Sequence, residues 1–437
     1  MKINMRQFLL MLMALIIISC KQNTVKVTPV KTFNVLQQLY NDQDYFGFSD
    51  YLMAQKDELS EVDKLYFNAL NDNVFNKAEI SNSSIESLLK LKEISLHDSL
   101  VTKLYQIKLL NHLNLYEYDL AAKTSEKLTN SYSAYLDSLD LENLRNEFKI
   151  WNSIKDVPKQ EIVRNSDVEI PLVRDHVGLY NIDVDFDDIR RNFIFDTGAN
   201  FSVVVRSLVD SLNLDYMEAG FYVRAATGKK VESDVAIAKR LVIGDLVVKN
   251  AVFLVLNDED MSFPSANFYP NGIIGFPIIE ALEELRFTAN NSIIVPKEPI
   301  HYGAANLALD GLMPIIKVEY NDKDLRFNFD TGARKTALYN LFYTSFKDEV
   351  ESNYKLESFN AASAGGAMQF EGFKIDSIEF SVDKEKAWLK NIQLHKNEID
   401  SKSNMHGNFG QDFIKQFDEM ILSFKDASII FKGKINE

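Results

Sequence analysis

Phe193-Ile194-Phe195-Asp196-Thr197-Gly198-Ala199 returns later in the chain as Phe327-Asn328-Phe329-Asp330-Thr331-Gly332-Ala333. At an offset of 330 − 196 = 134, Ile182 falls on Ile316, Val184 on Val318, Phe186 on Tyr320 and Asp188 on Asp322. Downstream, Gly272-Ile273-Ile274-Gly275 ends 79 residues past the first Asp, and Gly407-Asn408-Phe409-Gly410 ends 80 past the second. A lone Asp-Thr-Gly reads as a tight turn, since Asp and Gly are favoured there for backbone reasons. A repeat that also carries the strand before and the Gly-x-x-Gly after is a duplicated unit. Building one carboxylate loop twice is a way to bring two carboxylates together.

Two carboxyl groups a hydrogen bond apart cannot both ionise cheaply, so they share a proton and titrate as a pair. Such a pair can deprotonate a water held between them while donating to the carbonyl under attack. The motifs resemble aspartic proteases of the pepsin and retropepsin type, with both half-sites in one polypeptide. The resemblance covers roughly residues 163 to 437. It implies two β-rich lobes related by a pseudo-twofold axis, forming a bilobal β-barrel protease with Asp196 and Asp330 as the catalytic pair. It also implies that Thr197 and Thr331 lock the two loops together. Gly198 and Gly332 would allow backbone to approach the carboxylates, while Ile274-Gly275 and Phe409-Gly410 would support the loops from behind. Gly410-Gln411-Asp412-Phe413-Ile414-Lys415-Gln416-Phe417-Asp418 resembles the C-terminal pepsin pattern, and Ala199 and Ala333 follow the glycines as in the retroviral type.

The resemblance further implies a hairpin flap past each Asp. Ala225-Ala226-Thr227-Gly228-Lys229-Lys230 and Ala361-Ala362-Ser363-Ala364-Gly365-Gly366 stand there, with Thr227, Gly228, Gly365 and Gly366 at the tips and Tyr222 just before the first. The second copy departs from the pattern in two places. Asn408 replaces the usual apolar residue, from which looser support of the second loop is expected. Arg334 and Lys335 stand where the first copy has Asn200 and Phe201; a cation near the dyad would favour ionised carboxylates, and the ordinary expectation is that it points to solvent.

At the other end, Lys2 and Arg6 precede an apolar run, Phe8 through Ile18, ending at Ser19-Cys20. A basic start, a short apolar run and a small residue before the cut describe a secretory signal, not a spanning helix. The ending resembles a bacterial lipobox, which implies a lipidated Cys20, a membrane anchor and a place in the bacterial cell envelope. Cys20 is the only cysteine, so no intramolecular disulfide can form. Residues 1–20 are thus expected to be the signal and 21–32 a tether.

Residues 33–160 have a different texture, rich in Leu, Lys, Glu, Asn and Tyr, with no Gly after Gly47 and no Pro before Pro158. Leu104, Ile107, Leu110 and Leu113 keep helical spacing. Leu70, Phe75 and Ala78 match Leu113, Tyr118 and Ala121 at an offset of 43, and Asp44-Tyr45-Phe46 reads as an earlier, degraded copy. The stretch resembles tetratricopeptide-like (TPR-like) helical hairpins, with a plain helical bundle as the alternative; either would offer a docking surface for a protein partner or substrate.

The expected plan is multidomain α plus all-β: helices over 33–160, a first lobe over 163–297 and a second over 310–437, joined through Pro296 to Asp310. A length of 437 residues and 46% hydrophobic content suit several domains with real cores. A net charge of −15 argues against a nucleic-acid surface or a polybasic membrane patch. His97, His112, His176, His301, His395 and His406 show no paired metal-ligand spacing. Nor is there a nucleophile elbow or phosphate loop, so no cofactor or metal is expected. The reading is an aspartic endopeptidase acting on peptide or protein substrates. One rival is a peptide-binding lipoprotein on the same scaffold that does not cut; another is a dimer in which each half pairs with its twin.

Overall fold

The computed structural model describes residues 26–91, 96–224, 230–363, 366–397 and 404–434, without side chains for 360–368. Its N-terminal part contains α1 (Val30–Asn41), α2 (Tyr45–Gln55), α3 (Glu61–Val74), α4 (Ala78–Lys90), α5 (Asp98–Asn114), α6 (Tyr118–Ser131) and α7 (Ser138–Ile154). Helix α1 begins at Val30, inside the stretch expected as tether: Pro29, which cannot donate a backbone bond, is its N-cap residue. Side-chain caps start others, Ser60 accepting from the Asp63 N–H at 3.1 Å and Asp137 from the Asp140 N–H at 2.7 Å.

Three turns in this array are copies of one another. Between α1 and α2 the left-handed residue is Gln43, between α3 and α4 Asn76, and between α5 and α6 Tyr116. Each time the following N–H reaches back across the turn, Asp44 to Leu39 O, Lys77 to Asp72 O and Glu117 to His112 O, the Schellman closure of a helix end. The turns therefore align Asn76 with Tyr116, an offset of 40 and not the expected 43. A slide of three residues keeps an apolar helical stripe nearly in phase, which is how the sequence comparison slipped. Asp44-Tyr45 does occupy the same place as Lys77-Ala78 and Glu117-Tyr118, at the start of each second helix.

Beyond Gln160 the described chain is mainly β. A nine-stranded sheet gathers strands from Glu161 to Ile274 and an eight-stranded sheet those from Leu307 to Phe409. The strand Leu307–Asp310 belongs to the second sheet, pairing with Met313–Ile316, so the linker is shorter than the sequence suggested. A third sheet of five strands joins the halves, with Glu284–Thr288 antiparallel to Phe417–Ser423. Within each large sheet the same local topology recurs. Ile189–Phe195 runs parallel to Gly272–Ile274, which is antiparallel to Ser202–Val205; Lys323–Phe329 runs parallel to Gly407–Phe409, which is antiparallel to Ala337–Leu338. Alternation directs the aromatics inward: Phe193, Phe195, Phe327 and Phe329 are buried, and all four lie in one core.

The helical array is packed on both halves. Asn146 of α7 pairs with the edge backbone of Asp215–Arg224, donating to Tyr222 O at 2.7 Å and accepting from its N–H at 3.0 Å. Gln43 and Tyr45 both donate to Asp310, at 2.8 and 2.6 Å. Asn76 and Tyr116 donate to Glu280, each at 2.8 Å.

Candidate active site

Each Asp-Thr-Gly follows the end of a buried strand, and a neighbouring strand holds its backbone. The Asp196 N–H donates to Ile274 O and the Asp330 N–H to Phe409 O, both at 3.0 Å. Behind them, Gly275 N–H donates to the Ser202 hydroxyl at 3.0 Å and Gly410 N–H to the Thr336 hydroxyl at 3.1 Å. Gly275 and Gly410 are dictated by space: a Cβ on either would collide with backbone of the loop in front, the Phe201 carbonyl in one case and Lys335 at 2.7 Å in the other.

The two loops meet through their threonines. Thr197 N–H donates to Thr331 Oγ1 and Thr331 N–H to Thr197 Oγ1, each at 3.0 Å. Each hydroxyl then donates onward across the boundary, Thr197 to Phe329 O at 2.9 Å and Thr331 to Phe195 O at 3.1 Å. Both threonines are 0% exposed, so breaking the pattern would strand buried polar groups.

This lock brings the carboxyl groups of Asp196 and Asp330 into hydrogen-bond contact. The glycines face across it: a Cβ on Gly198 would lie 2.7 Å from Asp330 Cγ, and one on Gly332 would run into the Asp196 carboxyl. Gly198 N–H donates to Asp196 Oδ1 at 2.8 Å, and Gly332 N–H reaches Asp196 from the other loop. On the opposite side Ala333 N–H donates to Asp330 Oδ1 at 3.0 Å. Burial first, and then the neighbouring Asp330 charge, push Asp196 well above the usual carboxylate range.

Asn408 overturns an expectation. Far from loosening the second loop, its Nδ2 donates to Asp330 Oδ2 at 2.7 Å, while buried Phe409 supplies the apolar backing. The equivalent Ile273 packs among apolar residues instead. An amide N–H stabilises a carboxylate over a carboxylic acid, so Asn408 biases the shared proton towards Asp196. Gln411, which the sequence reading quoted only within a longer pattern, donates to Thr331 O at 2.6 Å and accepts from Arg174 at 2.6 Å. Ser202 and Thr336 were also missed, although both lie six residues past their Asp, a repeat position that could have revealed them.

Of the flap candidates, Thr227, Gly228 and Gly365 lie outside the described residues. Gly366 opens the strand Gly366–Val382 and pairs with Ser363. Tyr222 is held by the helical array, its hydroxyl donating to Glu142 at 2.7 Å. Arg334 and Lys335 are exposed, and Arg334 lies against Gly178, where a Cβ would sit 3.0 Å from its Nε. Among the described residues no three His, Cys, Asp or Glu are grouped to hold a metal ion. His406 is buried, with Nδ1 accepting from Arg326 N–H at 3.1 Å; Cys20 lies outside the described residues.

Residues 182–278 match a family model described as aspartyl protease. The matched stretch contains the Asp196 loop and its supporting Ile274-Gly275, and it ends before the second loop. It supports an aspartyl protease, a hydrolase of peptide bonds. No curated protein matches the chain.

Proposed function

We propose that this protein is an aspartic endopeptidase of the pepsin and retropepsin type, working as a single chain with Asp196 and Asp330 as its dyad. The observation that carries the reading is the contact of two carboxyl groups from repeated loops, held by reciprocal threonine bonds. Asp196, raised by burial and by its neighbour, holds the shared proton; Asp330, accepting from Asn408 and Ala333, acts as the base. A water between them gives its proton to Asp330 as it adds to the scissile carbonyl, while Asp196 donates to the carbonyl oxygen. The resulting tetrahedral adduct collapses with proton transfer to the leaving amine, and no covalent enzyme intermediate forms.

The amino-terminal sequence supports an export signal and a lipid anchor at Cys20, holding the enzyme in a bacterial cell envelope; among the described residues no helix is long and apolar enough to cross a membrane. The helical array is read as TPR-like, supported by the turn that occurs three times.

The test is cleavage of a diverse peptide library across pH by protein lacking residues 1–20, beside Asp196→Asn and Asp330→Asn. Loss of cutting in either variant alone establishes one shared dyad. Half activity in each would favour separate dimeric sites, and binding without cutting at any pH would leave a capture protein.

A further inference from the structure

The two half-sites differ in charge where a peptide would leave the dyad. Past Asp196 come Asn200 and Phe201; past Asp330 come Arg334 and Lys335. Phe201 is half-buried, its ring centroid 5.8 Å from that of Trp151 on α7. Ile273 packs into the same apolar cluster. The side beyond Asp330 gathers cations instead. Arg174 donates to Gly178 O at 3.2 Å and stacks 4.1 Å from the Tyr180 ring centroid. Arg334 lies against the same Gly178. Lys415 completes the group: burial first, then Arg174 and Arg334, disfavour its ammonium form, with Asp412 opposing them.

Nearby carboxylates offset this group only in part, Asp412 acting on Lys415 without a direct ion pair. Asp412 is committed to Thr336, accepting from its N–H at 2.9 Å and its hydroxyl at 2.8 Å. Asp175 accepts from Leu179 N–H and Asn181 Nδ2, both at 2.9 Å. Among the described residues, Arg174, Arg334 and Lys415 form no ion pair with a carboxylate. In a chain of net charge −15, three clustered cations left unpaired repel one another until an anion joins them. A hollow of about 190 Å³ opens beside Arg174 and Lys415, lined also by Tyr180, Thr288, Asn291 and Phe417. Its aromatic walls, polar side groups and two cations suit a short aliphatic stem ending in a carboxylate. Arg174 is also tied to the second Asp-Thr-Gly loop, through buried Gln411 to Thr331 O.

We propose that the substrates are peptides bearing a carboxylate on the side of the scissile bond held by the second Asp-Thr-Gly loop, received by Arg334, Lys415 and Arg174. This rests on the peptidase reading. It assigns the two sides of the cleft opposite tastes, apolar beyond Asp196 and acidic beyond Asp330.

The experiment uses peptide pools with an apolar central pair and either Glu or Gln fixed at each flanking position, every pool made as free acid and as amide. Wild type should cut Glu pools about fivefold more efficiently than Gln pools through KM, the scale of a partly exposed ion pair. That preference should vanish in Arg334→Gln/Lys415→Gln and fade in about 0.5 M salt, while Lys347→Gln, an exposed lysine at the start of the helix Lys347–Asn353 that does not line the hollow, keeps it. A preference confined to free acids would identify the carboxylate as the peptide's own C-terminus. Equal cutting of Glu and Gln pools, or a preference surviving in the double variant, overturns the proposal. Fluorescence anisotropy of the same labelled pools on Asp196→Asn separates the two levels. Acid-selective binding lost in Asp196→Asn/Arg334→Gln/Lys415→Gln, without any cutting by wild type, would sink the peptidase reading and leave the acidic site standing. Unselective binding would sink the site.

Discussion

Around Asp196 the surroundings are apolar and covered: Phe201 packs against Trp151, Ile273 joins the same cluster, and α7 grips the strand Asp215–Arg224. Around Asp330 they are polar and partly open, with Asn408 bonded to the carboxylate and Arg334 and Lys335 exposed. Yet the backbones agree bond for bond, from the strand behind each Asp to the glycine behind each loop. The comparison separates what a shared dyad requires of both halves from what each half is free to vary. Backbone geometry and the threonines are common to both halves; the side-chain walls differ, and the proposals of substrate discrimination and proton placement rest on them.

The largest effect should come from the shared element. Asp196→Asn and Asp330→Asn should each lower kcat by about a thousandfold or more, the scale of losing a positioned acid or base. They should differ in stability. Because Asp196 is raised in the folded state, its contribution to stability is present below the usual carboxylate range and lost as pH rises through the raised value. Asp196→Asn should therefore melt higher than wild type at neutral pH, with the gap closing on acidification. Thermal unfolding from pH 3 to 8 would reveal an error if the gap instead widened in acid.

The threonines come next. Thr197→Val and Thr331→Val each remove one donor and one acceptor and strand their partners, for about 2–4 kcal/mol apiece. Because they share one network, the double variant should cost less than the sum. Additive losses in denaturant unfolding would show the two halves of the lock to be independent.

A smaller difference lies just before the second Gly-x-x-Gly. Asn271 in the first half donates to Asn192 O at 3.0 Å, while in the second His406 accepts from Arg326 N–H at 3.1 Å. Burial first, then Arg326, push His406 down to about 3. A depressed histidine is neutral when folded, so its stability contribution is intact above about 6.5 and falls away as pH drops towards 3. Making the second half like the first with His406→Asn should relieve on the order of 3 kcal/mol of acid destabilisation by pH 4. An unchanged acid-unfolding midpoint would contradict this.

The repeat made the dyad, its threonines and its glycines legible, because each is a fixed residue type at a fixed offset. What surrounds them was harder to read. Asn408 looked like a defect because the pattern specifies packing there, and a polar side chain can meet the same space by bonding the carboxylate. Gln411 and Arg174 touch over 237 residues of chain, a pairing no local pattern encodes. The helical register slipped because apolar spacing constrains a helix's face and not its turn, whereas the left-handed residue at each turn was Gln, Asn and Tyr, too varied to mark the repeat. The seating of the array on both lobes rests on shared apolar clusters and on polar contacts such as Asn146 with Tyr222, pairings far apart in sequence that composition does not announce.

The finest cut through the comparison is Asn408→Ile, which writes the first half's residue into the second. In the proposed mechanism only the singly protonated pair is competent, and Asn408 favours that form over the doubly protonated one by donating to the Asp330 carboxylate. It should matter little to the loss of the last proton, which in the proposed mechanism leaves from Asp196. The variant's kcat/KM should therefore fall on the acid side of the profile, by about tenfold, one charge-assisted hydrogen bond's worth, while the alkaline limb stays in place. A side chain one methylene longer that keeps the N–H, Asn408→Gln, should restore part of the acid limb if the bond is the cause, whereas a purely steric role would leave both variants alike across pH. A uniform drop with no change in profile would assign Asn408 to packing and return the placement of the proton to burial alone.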